Sequence, residues 1–316
     1  MAFRLAHFTD IHFTEHPTRI PLRELLSKRV LGWVNLALLG RYSSFANARR
    51  LAEALVNDLE AVKPDHVLST GDLTGLSLPS EFQSARDALA PLLAATNVTG
   101  IPGNHDVYVR SAVKGRLYEG SFGAWTRTDL TPGDFPEELR GSYPYPLVQV
   151  LGDSLALISL MDVRPTILHD SSGLVPEAQV RLLDALLGNG RLAGRTKVLV
   201  LHTGICRADG SRDRRLHGLR NARAIRRAAE RLGVALVVHG HIHRRFVIPA
   251  GERQPFAIAN PGSLTSRHHA HAYHILAFDE GRIRLEARRY EERLGAFVPW
   301  PDAPGAGLIY PAGRPG

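Results

Sequence analysis

The sequence predicts an α/β fold, because strand-like apolar runs alternate with helical segments along most of the chain. Five of these runs are followed at once by polar residues or by glycine. Functional groups gather at the carboxyl ends of parallel strands, so we expect these polar residues to meet at one edge of a sheet. The five runs are residues 3–8, 66–70, 98–102, 198–201 and 235–238.

The segment 20–45 is expected to interrupt the first connection from strand to helix. Its residues 21–39 carry apolar side chains at helical spacing with Trp33 near the middle, and its polar side is basic. A basic amphipathic helix with a tryptophan is a candidate for lying on a membrane surface. A lid over the site and a packing surface fit the same pattern, so the three roles stay open.

Helices are predicted after this insertion, and antiparallel strands dominate the last part of the chain. The two strands on either side of Gly152-Asp153 should begin the second half of a two-sheet sandwich, and Glu280-Gly281 fits a hairpin turn. The predicted helices are 47–62, 79–94, 111–127, 176–187 and 218–232, and the further predicted strands are 147–150, 155–160, 246–248, 256–258, 273–278 and 283–290.

One domain is expected over residues 1–298, because the polar motif residues come from both halves of the chain and must meet. Residues 299–316 are rich in proline and glycine and are predicted to form a flexible tail. The length of 316 residues, with 44% apolar and 22% charged residues, is ordinary for a soluble globular protein. The single cysteine, Cys206, excludes an internal disulfide framework.

The net charge of +8 favours anionic partners, such as phosphates or an anionic membrane surface. Arginine dominates this charge in the run 207–231, for which a solvated helix face is the plain alternative. We see no secretory signal and no apolar run of about 18 residues. We therefore expect a cytoplasmic protein, with peripheral contact to the inner face of the membrane through 20–45 as an option. A nucleic-acid partner is disfavoured, and the oligomeric state stays open.

The polar residues at the strand ends supply carboxylate oxygens, imidazole nitrogens and one amide oxygen. This mixture suits a pair of divalent transition metals better than calcium. Each motif alone is weak, and the signal lies in their joint occurrence in this order. The motifs are Asp10-Ile11-His12, Gly71-Asp72, Gly103-Asn104-His105-Asp106, His202 and Gly240-His241-Ile242-His243.

This motif set resembles that of the calcineurin-like metallophosphoesterase family. The resemblance implies two packed mixed β-sheets flanked by helices, and hydrolysis of a phosphate ester by metal-activated water. The sequence departs from many relatives at His202, which is followed by Thr203-Gly204 where a second histidine and prolines are common. The ligand is kept, but the role of the loop beside it is harder to interpret.

The resemblance also implies the ligands and their roles. One metal would be held by Asp10, His12, Asp72 and His243, and the other by Asp72, Asn104, His202 and His241. The two ions would be manganese, iron, zinc or cobalt, with manganese favoured. His105 would protonate or stabilise the leaving oxygen, since histidine titrates near neutral pH. Asp106 would orient His105 or a ligand, or would cap the following helix.

The motifs predict a reaction class and leave the substrate open. A small phosphodiester such as a cyclic nucleotide is favoured, by similarity to the class III cyclic nucleotide phosphodiesterases. The alternative is a lipid-linked pyrophosphate, by similarity to the UDP-2,3-diacylglucosamine pyrophosphatases, and residues 27–36 and 218–221 give it some support. A non-catalytic binding scaffold of the same fold is disfavoured, because every expected ligand is present.

Other residues near the motifs receive weaker interpretations. The segment Asn260-Pro261-Gly262-Ser263 is interpreted as a turn that supports the 240–243 loop. A buried or loop thiol is the preferred reading of Cys206. His7, His16 and His239 are left unassigned, and the histidines within 268–274 are expected to be exposed or to take part in packing.

Overall fold

The computed structural model describes residues 2–14, 29, 47–167, 169–252 and 254–311. The predicted insertion 20–45 therefore lies outside the described residues, apart from Arg29. Two β-sheets of seven and six strands make up the centre of the described part. Helices cover the outer face of each sheet.

The strands are short and mostly buried. They are β1 (Phe3–Phe8), β2 (His66–Ser69), β3 (Val98–Gly100), β4 (Leu147–Leu151), β5 (Leu155–Ser159), β6 (Thr196–Val200), β7 (Val234–Val238), β8 (Phe246–Ile248), β9 (Ala257–Asn260), β10 (Ala272–Asp279), β11 (Arg282–Glu291), β12 (Ala296–Pro299) and β13 (Gly307–Tyr310).

The α-helices follow the strands of both halves. They are α1 (Ala48–Val62), α2 (Pro79–Ala88), α3 (Ala90–Ala94), α4 (Arg110–Lys114), α5 (Leu117–Phe122), α6 (Glu177–Ala185) and α7 (Ala222–Arg231). Single turns of 3₁₀ helix lie at 123–125, 132–134, 186–188 and 190–192, and a longer one lies at 137–142.

Both sheets are mixed, which confirms the predicted architecture. The first sheet has the order β12-β11-β10-β1-β2-β3, with β13 paired to β11. Its strands β1, β2 and β3 are parallel, whereas β10 to β13 are antiparallel. The second sheet has the order β4-β5-β6-β7-β9-β8, in which β5, β6, β7 and β9 are parallel and the edge strands β4 and β8 are antiparallel.

Side chains along one strand alternate between two hydrophobic cores, one on each face of the sheet. In β1, Leu5 joins the core between the sheets, while Ala6 and Phe8 join the core under α1 and α2. In β6, Val198 faces the core between the sheets and Leu199 faces the helices of the second half. Successive side chains of a strand point to opposite faces of the sheet. Because both faces of each sheet are covered, the parallel strands carry apolar side chains on both faces.

Helix α1 shows why these segments are helical. Leu51, Leu55 and Leu59 recur every fourth residue and are buried against the first sheet. Each contributes about 1.5–3 kcal/mol by leaving water. The helix ends at Lys63, whose left-handed φ of 51° allows its N–H to bond the carbonyl of Leu59, and Pro64 prevents continuation.

The structure differs from the predictions in several elements: the predicted helix 79–94 is divided into α2 and α3, and the predicted helix 218–232 begins only at Ala222. The predicted helix 111–127 is broken into α4 and α5, because Arg116 between them adopts a left-handed φ of 48°. The predicted flexible tail is corrected as far as residue 311: Gly307–Tyr310 forms β13 on β11, and Ile309 is buried. Residues 312–316 of that tail lie outside the described part.

The predicted hairpin turn at Glu280-Gly281 is confirmed. Both residues have positive φ, at 45° and 73°, and the turn joins β10 to β11. Positive φ at both central positions is what a two-residue hairpin turn of the favoured hand requires. Of the helices described, none has the length and apolar character needed to cross a membrane.

Candidate dinuclear metal centre

The predicted motifs meet where the carboxyl ends of strands from both sheets come together. Backbone hydrogen bonds join the loops within each half: the N–H of Asp10 donates to the carbonyl of Gly71 over 2.9 Å. In the second sheet, the N–H of Gly240 donates to the carbonyl of His202 over 3.0 Å. The N–H of His241 then donates to a carboxylate oxygen of Asp10 over 3.0 Å, which ties the two halves together.

The backbone at this edge is strained at the predicted ligands. Asp10, His12, Asp72, His241 and His243 all have left-handed φ values, between 55° and 68°. Such a conformation costs a residue other than glycine of order 1–3 kcal/mol, and it persists only where the surrounding structure enforces it. The concentration of this strain at one edge indicates a functional site.

Glycine allows the loops of β2 and β3 to touch. Gly71 has a φ of +93°, and a Cβ placed on it would lie 2.2 Å from the backbone nitrogen of Gly103. A Cβ on Gly103 would lie 2.1 Å from Oδ1 of Asp72. Any larger residue at either position would push Asp72 out of place.

The first group of potential metal ligands contains Asp10, His12, Asp72 and His243, whose ligand atoms all lie within 4.8 Å of one another. The Nε2 atoms of His12 and His243 are 2.9 Å apart. Nε2 of His243 lies 3.2 Å from Oδ1 of Asp10, and Nε2 of His12 lies 3.7 Å from Oδ2 of Asp72. Two carboxylates and two imidazoles therefore point at one small volume.

The second group contains Asp72, His202 and His241, again within 4.8 Å of one another. The amide oxygen of Asn104 joins them, at 3.0 Å from Nε2 of His202 and 2.8 Å from Nδ1 of His241. Oδ2 of Asp72 lies 3.4 Å from Nε2 of His202, so the same oxygen faces both groups. Asp72 is thus placed to be shared.

The imidazoles are oriented by the backbone. Nδ1 of His202 donates to the carbonyl of Thr70 over 2.7 Å, which turns Nε2 toward Asp72. Nε2 of His241 donates to the carbonyl of His217 over 3.0 Å, which turns Nδ1 toward Asn104. Metal-binding histidines in proteins commonly use the second ring nitrogen in this way, because the bond fixes both tautomer and orientation.

The electrostatics of the centre favour a bound cation. Burial disfavours ionisation of Asp10, but the charge of His243 and hydrogen bonds from His12 hold its pKa well below the usual value. Burial lowers the pKa of His241 well below 6.5, so that ring is neutral. Burial opposes protonation of His202 as well, yet the charge of Asp72 raises its pKa to about 10. The buried carboxylates are therefore stabilised by a positive charge beside them.

The donor set fits two divalent transition metals. Six of the seven predicted ligands belong to the two groups, and Asn104 lies within hydrogen-bond distance of two of them. Imidazole nitrogen and carboxylate oxygen suit manganese, iron, zinc or cobalt. A histidine must be deprotonated to bind a metal ion. The buried carboxylates now favour a proton on His202, and a bound metal ion would supply the positive charge in place of that proton.

His105 lies beside the first group. Its backbone N–H donates to Oδ1 of Asp72 over 2.7 Å, and its ring packs edge-on against His12 with centroids 4.9 Å apart. Nδ1 donates to the carbonyl of Gly75 over 2.5 Å, and Tyr108 stacks on the ring at 5.4 Å. The imidazole is therefore held at the edge of the centre.

Asp106 binds the backbone of the loops that flank it. Its carboxylate accepts hydrogen bonds from the N–H groups of Gly103, Leu73 and Thr74 at 2.9, 3.3 and 2.9 Å. It also accepts from the hydroxyl of Thr74 over 3.0 Å. Asp106 thus joins the loop after β2 to the loop after β3, which positions Asp72 and Asn104.

Asp162 was missed in the sequence. Its carboxylate accepts from the N–H groups of His202 and Thr203 at 2.9 and 2.7 Å, so it holds the loop that carries His202. Burial raises its pKa. Asp162 follows an apolar strand, as the recognised motifs do, and the same strand-end pattern applied to β5 would have found it.

His217 was missed too, and its sequence surroundings gave no signal. Its ring lies 4.4 Å from that of His241, and its Nδ1 pairs with Asp213 over 2.6 Å. It belongs to the arginine-rich stretch, which had been interpreted only through its charge.

The turn at Asn260 supports the site as interpreted. Nδ2 of Asn260 donates to the carbonyl of Gly240 over 2.8 Å, and the hydroxyl of Ser263 donates to the carbonyl of Asp10 over 2.8 Å. These bonds hold the loops of His241 and Asp10 together.

The remaining residues singled out in the sequence do not belong to the candidate metal centre. Cys206 is buried in the core of the second sheet. In the described part of the chain, no group of potential ligands includes a histidine of the 268–274 stretch. His7 and His274 are buried in the first sheet with ring centroids 6.5 Å apart, and His16 is not among the described residues.

Arg29 connects the insertion to the site. It is 2% exposed, and its guanidinium donates to the carbonyls of Leu76 and Ser77. The hydroxyl of Ser77 in turn donates to the carbonyl of His105 over 2.6 Å. One residue of the predicted insertion thus braces the loop around His105.

Comparison with known proteins agrees with this geometry. The sequence profile of the calcineurin-like phosphoesterases matches residues 3–245. A dimetal phosphatase from Danio rerio has a TM-score of 0.65 and 14% identity, over 94% of this chain and 98% of that one. A purple acid phosphatase from yellow lupin seeds has a TM-score of 0.52 and 13% identity, over 92% of this chain and 52% of that one. At such identities the likeness shows the fold alone. The curated proteins include no significant match.

Proposed function

Because this chain belongs to the calcineurin-like phosphoesterase family, we propose that it hydrolyses a phosphodiester or pyrophosphate bond with two divalent metal ions. A small diester such as a cyclic nucleotide is the first candidate substrate. The observation that carries the proposal is the position of Asp72, whose one carboxylate oxygen faces both groups of ligands. That is the arrangement a two-metal centre needs.

The protein's own residues would act as follows. Asp10, His12, Asp72 and His243 hold one ion, and Asp72, Asn104, His202 and His241 hold the other. When bound, such ions polarise the phosphoryl oxygens and lower the pKa of water toward about 7. Manganese is our first choice for both.

His105 would supply the proton to the leaving oxygen. Its Nδ1 is committed to the carbonyl of Gly75, so the transferred proton is assigned to Nε2. The stack with Tyr108 and the backbone bond to Asp72 fix the ring beside the centre. A positioned general acid contributes about 10²–10⁴-fold to a rate. Asp106 is assigned a positioning role, through the two loops that it joins.

A substrate screen tests the proposal. The purified chain, supplemented with manganese, iron, zinc or cobalt, is assayed on bis(p-nitrophenyl) phosphate, cyclic AMP, a UDP-linked lipid and p-nitrophenyl phosphate. We expect metal-dependent turnover of the diesters above that of the monoester. Stoichiometric metal with turnover of none of them would leave the proposal without support. Substoichiometric metal and no turnover would favour a binding scaffold.

The lipid-linked pyrophosphate is the second candidate, and Arg29 is the observation that favours it. This residue, which belongs to the basic, apolar insertion 20–45, lies against the loop of His105. The basic and apolar composition of the sequence around Arg29 suits a substrate with acyl chains at an anionic membrane surface. Replacing Trp33 and Leu36 by serine should weaken turnover of the lipid-linked substrate and spare bis(p-nitrophenyl) phosphate. An equal loss on both substrates would assign the segment to the core.

A further inference from the structure

A cavity of about 490 Å³ lies beside the metal ligands of the second sheet. We call it the basic pocket, and its lining residues are Arg207, Ala208, Asp209, Asp213, Arg214, His217, Ile242 and Arg244. Ile242 stands between the ligands His241 and His243, and Arg244 follows directly. His217 packs on the ring of His241. The pocket therefore opens next to the centre.

Three guanidinium groups of the pocket are unpaired. Among the described residues, the side chains of Arg207, Arg214 and Arg244 have no hydrogen-bond or ion-pair partner, and all three are exposed. Arg220, by contrast, is engaged with Asp170 over 2.6 Å. Free guanidinium groups that line one cavity are suited to phosphate, which they bind through paired N–H donors.

The two acids of the pocket are already occupied. Asp213 pairs with His217 over 2.6 Å. Asp209 accepts from the N–H and the hydroxyl of Ser211 at 3.0 and 2.6 Å. Hydrogen bonds from Ser211 hold the pKa of Asp209 below its usual value. Three arginines thus face two carboxylates, which leaves the pocket with a formal charge of +1 and a preference for an anion.

The loop that carries the arginines is built by its own backbone. The N–H of Arg207 donates to the carbonyl of Ser211 over 2.9 Å, and the N–H of Gly218 donates to the carbonyl of Arg214 over 2.8 Å. Gly218 lies against Asp213, where a Cβ would come within 2.5 Å of the aspartate's Cβ. The backbone that carries Arg207 and Arg214 is therefore held in place, which fixes where these two side chains leave the chain.

We propose that the basic pocket binds a second anionic group of the substrate, a phosphate adjacent to the one that is cleaved. This inference rests on the proposed function and changes the order of its candidates: a substrate that carries a diphosphate is preferred over the cyclic nucleotide named first, which has a single charge. The arginines Arg214 and Arg244 determine this preference, because they flank the pocket near His217 and His243. Solvated arginines with no ligand are the alternative reading.

Matched variants and matched ligands test the pocket. Arg214→Gln and Arg244→Gln remove charge from the lining, while Arg212→Gln and Arg215→Gln remove it from neighbouring exposed positions outside the lining. The substrates are ADP-ribose, which has two phosphates, and bis(p-nitrophenyl) phosphate, which has one. Each lining variant should raise KM for ADP-ribose about tenfold, the value of one charge-assisted hydrogen bond. KM for bis(p-nitrophenyl) phosphate should stay unchanged.

Calorimetry separates the failure of the pocket from the failure of the proposed function. The affinity of the metal-loaded protein for adenosine 5′-(α,β-methylene)diphosphate is compared with its affinity for AMP, which needs no turnover. The lining variants should lose affinity for the diphosphate alone. Equal losses for both nucleotides, no loss, or the same loss in Arg212→Gln and Arg215→Gln would overturn the pocket. An absence of turnover on every substrate, with the diphosphate preference intact, would overturn only the hydrolase.

Discussion

Arg29 donates from Nε to the carbonyl of Leu76 over 2.8 Å, although 47 residues separate them in the chain. Its Nη2 donates to the carbonyl of the next residue, Ser77, over 2.6 Å. This loop also holds His105, through Gly75 on one side of the ring and Ser77 on the backbone. A buried arginine thus supports the loop that holds the proposed general acid.

Replacing Arg29 should therefore lower turnover more than binding. Arg29→Lys keeps the charge but cannot reach both carbonyls, and a buried acceptor left unpaired costs about 1–3 kcal/mol. We expect kcat for bis(p-nitrophenyl) phosphate to fall with little change in KM. Arg49→Lys, at an exposed arginine of α1, is the control. If KM rose while kcat held, the role given to Arg29 would be wrong.

The His105→Ala variant should keep its metal and lose most of its turnover. No ligand of either group is removed, and the general acid is lost, so a decrease of about 10²–10⁴-fold in kcat is expected. Metal content by mass spectrometry and kcat on a diester are the two measurements. His268→Ala, at an exposed histidine, is the control for a generic effect of removing an imidazole. Unchanged activity in His105→Ala would remove His105 from the mechanism.

The variants Asp72→Ala and His12→Ala should differ in the number of metal ions that the protein retains. Asp72 faces both groups, whereas His12 belongs to one. Asp72→Ala should therefore reduce the bound metal at both sites, and His12→Ala should reduce it by at most one ion per chain. Equilibrium dialysis with manganese distinguishes these outcomes. Equal stoichiometry in the two variants would argue against a shared carboxylate.

The free energy of unfolding should decrease with acidification, and the buried His66 is one cause. Burial, with a smaller effect of the charge of Arg127, lowers the pKa of this histidine to about 4 in the folded protein. In the unfolded chain its pKa is about 6.5, so the unfolded state binds more protons between these values. The contribution of His66 is therefore complete above pH 6.5. It is lost as pH falls toward 4, by about 3 kcal/mol at most.

Urea unfolding of the wild type and His66→Gln at pH 7 and pH 4.5 measures this effect. Glutamine does not titrate and still offers a donor to Thr99, the present partner of His66 at 2.7 Å. The variant should lose less free energy of unfolding between the two pH values. His169→Gln, at an exposed histidine, serves as the control. An identical pH dependence in wild type and His66→Gln would exclude His66 as a cause.

The sequence predicted the parts of the site that depend on local pattern. An apolar run followed by Asp, His or Asn can be recognised in the sequence itself, so the candidate ligands that the structure brings together could be named in advance. The role of Asp106 could not be predicted, because its partners Leu73 and Thr74 lie 33 and 32 residues away. The glycines and prolines around Gly307–Tyr310 indicated a loop rather than a strand. The strand forms because its backbone pairs with β11, a contact that is distant in the sequence.

The left-handed backbone at Asp10, His12, Asp72, His241 and His243 has a consequence for how this chain can change. Glycine adopts that conformation without strain, but it loses more conformational freedom on folding and would remove a side chain that is buried at four of the five positions. Relief of the backbone strain is therefore coupled to the loss of a candidate ligand and of its packing, so these positions cannot be relaxed one at a time without cost to the fold.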